Sequence, residues 1–336
     1  VNRALRGEVV PGKVLTVLLV LSVLYGCNQA SSPVEKQERR GGVEQAAGGE
    51  PERAARGVAG NEAASAIVGE GVRTPSFDYR VLDYFVTDSY YYLENPARDD
   101  VIEGHSQAGR FVVVTHSVTN TSTRTVRPEL GARLHARVGS KTEVYEESGD
   151  VMHPRSTPGT LELAPGEMGT GQFIFEAPAG ADPESVEVSL EDDPEHPGGG
   201  TGVVDLARRD PLGLSAEEIL ALQYEYLNMT AWSQAYELFA EESMREVSLE
   251  QYEAYMNSGH GERPTAVMEY AFPSVEVQGD RAAIVREFTL STPYGEHRQK
   301  ATQEAVLEDE GWRIVMRDDQ IRALLQRGTI VRERTQ

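Results

Sequence analysis

The chain of 336 residues contains a single cysteine, Cys27. It can therefore close no internal disulfide and build no cysteine-based zinc site. It is also short of base. Its 32 Lys and Arg face 54 Asp and Glu, a formal net charge of −22. Nothing so acidic is drawn to nucleic acid or to anionic lipid by its overall field. Long apolar runs are missing too. The stretch Val14 to Tyr25 covers about a dozen residues, whereas a membrane-crossing helix needs about 20. From Asn28 to about Arg73 there is almost no aromatic or large apolar side chain, so that segment cannot bury enough surface to offset its chain entropy. No His–Asp pair, metal-ligand spacing, nucleophile elbow or phosphate loop occurs anywhere. No catalytic residue, metal ligand or cofactor is assigned.

What is present begins with an address. Arg3, Arg6 and Lys13 precede the apolar run, and Leu24, Tyr25, Gly26 and Cys27 end it. A basic start, a short apolar middle and a small residue at the end make up a secretory signal peptide. The ending resembles the bacterial lipobox, with Leu24 and Gly26 flanking the cleavage point and Tyr25 departing from the small residue usual there. The resemblance implies a signal peptide over residues 1–26, cleavage before Cys27 and acylation of its thiol. The protein is then held on the extracytoplasmic face of the cell membrane. An uncleaved signal anchor is the alternative. Acylation also removes the liability of a lone exported thiol, and two or more acyl chains hold a membrane firmly. Residues 27–74 are expected to form a disordered stalk. About 45 residues of such chain reach roughly 35–40 Å.

The remainder predicts a multidomain chain: an all-β sandwich over 75–192, a linker over 193–211, an α+β domain over 212–326 and a tail over 327–336. In the first segment Ala132, Leu134, Ala136 and Val138 alternate with polar residues, as do Val186, Val188 and Leu190. Phe111 to Val114 is apolar on both faces and suits a central strand. "RFVVVTHSVTNTSTRTVRP" and "LAPGEMGTGQFIFEAP" resemble the telokin-like, immunoglobulin-like domain of unknown function found on Gram-positive lipoproteins. That resemblance implies an interaction or spacer module without a catalytic set. His116 shares a face with Val112, Val114 and Val118 and reads as a core histidine. Glu146, Glu147, Asp150, Asp99 and Asp100 do not match a calcium-loop spacing and read as a solvated acidic face. Tyr90 to Tyr92 reads as strand cross-pairs or as a sticky patch.

The second segment opens helically. Ser215 with Glu218 and Ser248 with Gln251 form capping boxes, and Trp232, Ala235, Tyr236 and Phe239 make an apolar stripe. Three helices are followed by period-two runs from Ala266 onward, which suits a curved antiparallel sheet. "ALQYEYLNMTAWSQAYELFAEESMREVSLEQYEAYM" and "DEGWRIV" resemble the nuclear-transport-factor-2-like superfamily. That resemblance implies a cone-shaped pocket, used by some members for isomerase or dehydratase chemistry and by others only for binding or dimerisation. Arg286, Tyr270 and His297 are the candidates to line it. Arg286 shares an apolar face with Ile284 and Phe288, where it either holds an anionic group or snorkels to solvent. His297 is a candidate base beside the Pro293–Gly295 turn. The function expected is non-catalytic binding or scaffolding at a bacterial cell envelope. Its partners are the membrane, through Cys27, and an envelope protein or small ligand, with no nucleic acid. The alternatives are a small-molecule carrier or enzyme using the second pocket, and an accessory factor in cell-wall synthesis.

Overall fold

The computed structural model describes residues 64–95, 100–107, 109–148, 162–191, 200–210, 212–262 and 264–334. Leu24, Gly26 and Cys27 lie outside them, as does the stalk up to residue 63.

Alternating apolar residues build two packed sheets. The strands are β1 (Ala64–Val68), β2 (Gly71–Arg73), β3 (Phe77–Thr87), β4 (Ser89–Asn95), β5 (Asp100–His105), β6 (Gly109–Asn120), β7 (Glu129–Val138), β8 (Lys141–Glu146), β9 (Met168–Pro178), β10 (Asp182–Glu191) and β11 (Gly200–Arg209). One sheet has the order β1-β11-β10-β7-β8 and the other β2-β3-β6-β9, while β4 and β5 pair as a hairpin. Leu134, Val186, Val188 and Val204 of the first sheet meet Phe77, Val114, Phe173 and Phe175 of the second in one core. His116 lies in that core, fully buried, its ring 4.4 Å from Phe173 and 5.4 Å from Tyr79.

Both boundaries of the sandwich need correction. β1 and β2 fall in residues assigned to the stalk, and β11 falls in the assigned linker. Ala66, Val68 and Val72 are too sparse to mark strands by themselves, and they are buried because distant partners cover them. β1 pairs in parallel with β11, Ala66 opposite Val204, and Val204 and Leu206 enter the sandwich core. A parallel pairing between segments so far apart leaves no local trace.

The rest folds as α1 (Ala216–Asn228), α2 (Trp232–Glu237), α3 (Glu241–Glu246) and α4 (Leu249–Glu262), then the antiparallel meander β12 (Ala266–Gln278), β13 (Arg281–Thr292), β14 (Gly295–Glu308) and β15 (Gly311–Ile314), and finally α5 (Asp318–Arg334). Both capping boxes form: Ser215 Oγ accepts from Glu218 N at 3.3 Å, and Ser248 Oγ from Gln251 N at 3.3 Å. The stripe read as one helix is split, since α2 stops at Glu237 and Phe239 bridges to Ile314 of β15. The helix α5 runs through residues assigned to the tail. No helix among the described residues is long and apolar enough to cross a membrane.

α1 ends in a Schellman closure. Ala231 N donates to Tyr226 O at 2.9 Å and Thr230 N to Leu227 O at 3.2 Å. The left-handed position is held by Thr230, φ 55°, where a β-branched side chain is strained. Thr230→Gly should therefore raise stability by about 0.5–1 kcal/mol, the relief of strain exceeding the added freedom of the unfolded chain. A lower melting temperature would mean that the threonine side chain makes contacts worth more than the strain.

Candidate functional site

The two halves do not stand apart. Leu82, Phe111, Val113 and Ile174 on the outer face of the β2-β3-β6-β9 sheet, together with Tyr90 and Tyr92 of β4, share one apolar cluster with α1, α4 and the meander. α1 lies between the two halves, and Ala216 and every residue from Glu218 to Asn228 is buried. Such a helix is normally apolar all round, yet this one holds Glu218, Gln223, Glu225 and Asn228.

Three polar contacts fix α1 to the sandwich. At its start, Glu218 Oε1 accepts from Ser117 Oγ at 3.0 Å and Oε2 faces Arg80 Nη1 at 3.6 Å. Arg80 also pairs with Asp78 at 3.0 Å and donates to Gly213 O at 2.7 Å. Burial works against the Arg80 charge, but Glu218 and Asp78 outweigh it and raise its pKa above the ordinary value. At the end of the helix, the Tyr226 hydroxyl donates to Asp83, which also pairs with Arg209.

Between them sits Glu225, 2% exposed. Its Oε1 accepts from Thr170 Oγ1 at 2.9 Å and from the Tyr270 hydroxyl at 3.3 Å. Its Oε2 accepts from Gln172 Nε2 at 3.0 Å and the Tyr92 hydroxyl at 3.3 Å. The Tyr90 hydroxyl supports Gln172 at 3.0 Å. Burial, then Tyr92 and Glu225, hold the Tyr90 pKa well above its usual range, so it stays a donor. Asn228 completes the joint. Its amide exchanges hydrogen bonds with the Val267 backbone, both at 2.8 Å, and donates to Tyr92 at 3.1 Å.

Of the three expected pocket residues, the structure brings two together. Arg286 and Tyr270 meet through Tyr224, whose hydroxyl accepts from Arg286 Nη1 at 3.0 Å and whose ring lies 5.0 Å from that of Tyr270. Arg286 does not snorkel. It is 1% exposed, and its guanidinium lies over the Phe288 ring at 5.2 Å. Its place on β13, between the inward Ile284 and Phe288, leaves no short path to water. The rings of Tyr224, Tyr270, Phe272 and Phe288 pack together here. His297 is exposed near the start of β14, opposite Leu290, and takes no part.

A small recess remains on the other side of α1, lined by Gln223, Leu227, Phe239, Tyr252, Met256 and Gln303 and covered by Gln320 and Leu324 of α5. Gln303 donates to Val315 O at 2.7 Å. Gln223, buried at 6% exposure, makes no side-chain hydrogen bond to another described residue. No group of three or more His, Cys, Asp or Glu among the described residues is placed to hold a metal ion. Glu146 is exposed and paired with Arg133. Glu147 is turned inward, against the reading of a wholly solvated acidic face. The burial of Tyr90 and Tyr92 excludes those two from a sticky patch.

Thr170, Gln172 and Glu225 were not singled out from sequence. Thr170 and Gln172 alternate with Phe173 and Phe175 and so look like the wet face of a sandwich. Glu218 and Glu225, seven apart, look like the wet face of a helix. Two such faces pressed together form a polar seam, and the one local hint is that α1 has apolar residues on every other side.

No protein-family model matches the chain, nor does any curated protein. Among solved structures, the chain is similar to an uncharacterized β-sandwich protein from Clostridium difficile (10% identity, 45% of this chain and 98% of that one, TM-score 0.27). It is also similar to a conserved hypothetical protein from Bacillus anthracis (14% identity, 40% and 94%, TM-score 0.23). A third is an Ntf2-like protein involved in plasmid conjugation (8% identity, 71% and 76%, TM-score 0.18). At these scores the likenesses carry no argument about function.

Proposed function

We propose that this chain is a lipid-anchored, non-catalytic binding or scaffolding protein on the extracytoplasmic face of a bacterial cell envelope. Its first half is then an immunoglobulin-like sandwich of the telokin-like kind, and its second a nuclear-transport-factor-2-like module. The observation that favours scaffolding over chemistry is the filling of the cone. Where Arg286 and Tyr270 were expected to line a reaction pocket, four aromatic rings and a buried guanidinium close it. The tether is Cys27. Replacing Cys27 with serine should leave an uncleaved precursor or release the protein from the membrane. Mass spectrometry that finds an unmodified Cys27 inside a longer mature chain rules out the anchor. Capture of partners by the mature protein from native membranes tests the scaffolding half of the reading.

A second reading, a small-molecule carrier, rests on Gln223. Its carboxamide lines the recess without a side-chain hydrogen-bond partner among the described residues, and so is open to whatever enters there. Binding of a small neutral amide that is lost in Gln223→Leu with the fold intact supports the carrier.

A further inference from the structure

At the end of β8 the chain leaves one sheet for the other. Arg133 of β7 stands opposite Glu146, but Glu147 bridges to Phe175 of β9, and Ser148 N donates to Ile174 O at 2.8 Å. The crossing thus ties together the edge strands of the two sheets. Residues directly opposed in an antiparallel pair share a face, and Phe175 is fully buried in the sandwich core. Glu147 therefore points inward beside it. Its own strand agrees. Tyr145 stands opposite the buried Leu134, so Glu143, Tyr145 and Glu147 take the inner face while Val144 is turned out, 52% exposed. Glu147 Oε1 is sealed from solvent with no hydrogen-bond partner among the described residues. The Tyr79 hydroxyl of β3 is in the same condition, and the two groups interact electrostatically.

We propose that the crossing at residues 146–148 is a pH-sensitive clasp between the two sheets, closed while Glu147 is a neutral acid and loosened when it ionises. A neutral carboxyl is tolerated in apolar surroundings. A carboxylate in the same place draws toward water and pulls on the Ser148–Ile174 bond. Burial raises the Glu147 pKa to about 7, from 4.5. A group raised in the folded state contributes stability below its unfolded value and loses it as pH rises through the folded one. The loss therefore falls between pH 4.5 and about 7. The groups that face Glu147 are Tyr79 from β3, His116 from β6 beyond the Tyr79 ring, and Glu143 and Tyr145 from β8 itself, bonded to each other at 2.8 Å. Burial first, then Glu147, keeps Tyr79 un-ionised far above this range. A buried imidazole that charges acts in the opposite sense, weakening the fold as pH falls.

The test is a melting series on the full chain in detergent from pH 5 to 8.5, with Glu147→Gln alongside. The wild type should lose several degrees as pH rises toward neutral, and the variant should lose that slope and exceed the wild type at pH 8. After correction for intrinsic rates, the Ser148 amide should exchange faster at pH 8 than at pH 5.5 in the wild type only. An identical slope in both proteins overturns the clasp. Carbon-13 titration of wild-type glutamates needs no variant. One carboxyl should titrate near 7, and a set that all titrates below about 5.5 also overturns it.

Discussion

Glu225→Ala is expected to cost about 2–4 kcal/mol and to weaken both halves of the protein in a single transition. The substitution removes the shared acceptor of Thr170, Gln172, Tyr92 and Tyr270, of which Thr170 and Tyr270 also bond each other, in a seam with little access to water. Each buried group left unsatisfied costs about 1–3 kcal/mol. Against that sum stands the relief of no longer burying a carboxylate, several kcal/mol in its own right. The donors win because they outnumber the charge they lose. Glu225→Gln should cost less than half as much. Three of the four donors are hydroxyls, which can turn round and accept from the new amide. Urea unfolding reads the result, with Trp232 and Trp312 reporting on the second half and far-ultraviolet dichroism on the strands of both. The two signals should move together, because Leu82, Phe111 and Ile174 share a core with α1. A wild-type midpoint for Glu225→Ala, or two separated transitions, would show that the seam does not couple the halves.

Arg286 carries the second large effect. Arg286→Ala should lower stability by about 3–5 kcal/mol, the range for emptying a well-packed interior site. It removes the partner of the Tyr224 hydroxyl and the stem packed against Phe288. Arg286→Met should stay within about 1 kcal/mol of the wild type, or exceed it. It keeps most of the volume and ends the desolvation of a guanidinium, an exchange that is often neutral or favourable. Thermal unfolding of the pair separates volume from charge. A silent alanine variant would return the side chain to solvent, as the snorkelling alternative had it. A methionine variant that fails as badly as alanine would make the charge itself indispensable, pointing to an anionic group held beside it.

Much of the local structure was legible because its causes are local. The capping boxes at Ser215 and Ser248 satisfy helix-end amides within four residues, and the alternation along β7, β10 and β13 follows from the two-residue pleat. His116 was correctly placed in the core by the apolar residues on either side of it. The site was less legible. Arg286 and Tyr270 were named, but as pocket lining, since alternation tells that a side chain points inward and not whether its neighbours leave space. His297 was named for its chemistry, and chemistry alone does not bring a strand-end residue beside Arg286 and Tyr270.

The sequence by itself determined the alternation along β7, β10 and β13, the helix starts at Ser215 and Ser248, the acidic charge and the apolar face that Arg286 shares, all consequences of periods of two or 3.6 residues and of charge count. Only the tertiary structure decided what lies against each face. β1 is a strand because β11, more than a hundred residues later, pairs with it. Thr170, Gln172 and Glu225 are buried because two polar faces meet across α1, and a polar face looks the same to local periodicity whether water or another polar face covers it. Glu147 is turned inward because the register set by Tyr145 and the crossing to Phe175 leave it no other side. Pairing partners and register are properties of contacts distant in sequence, so no window of residues contains them.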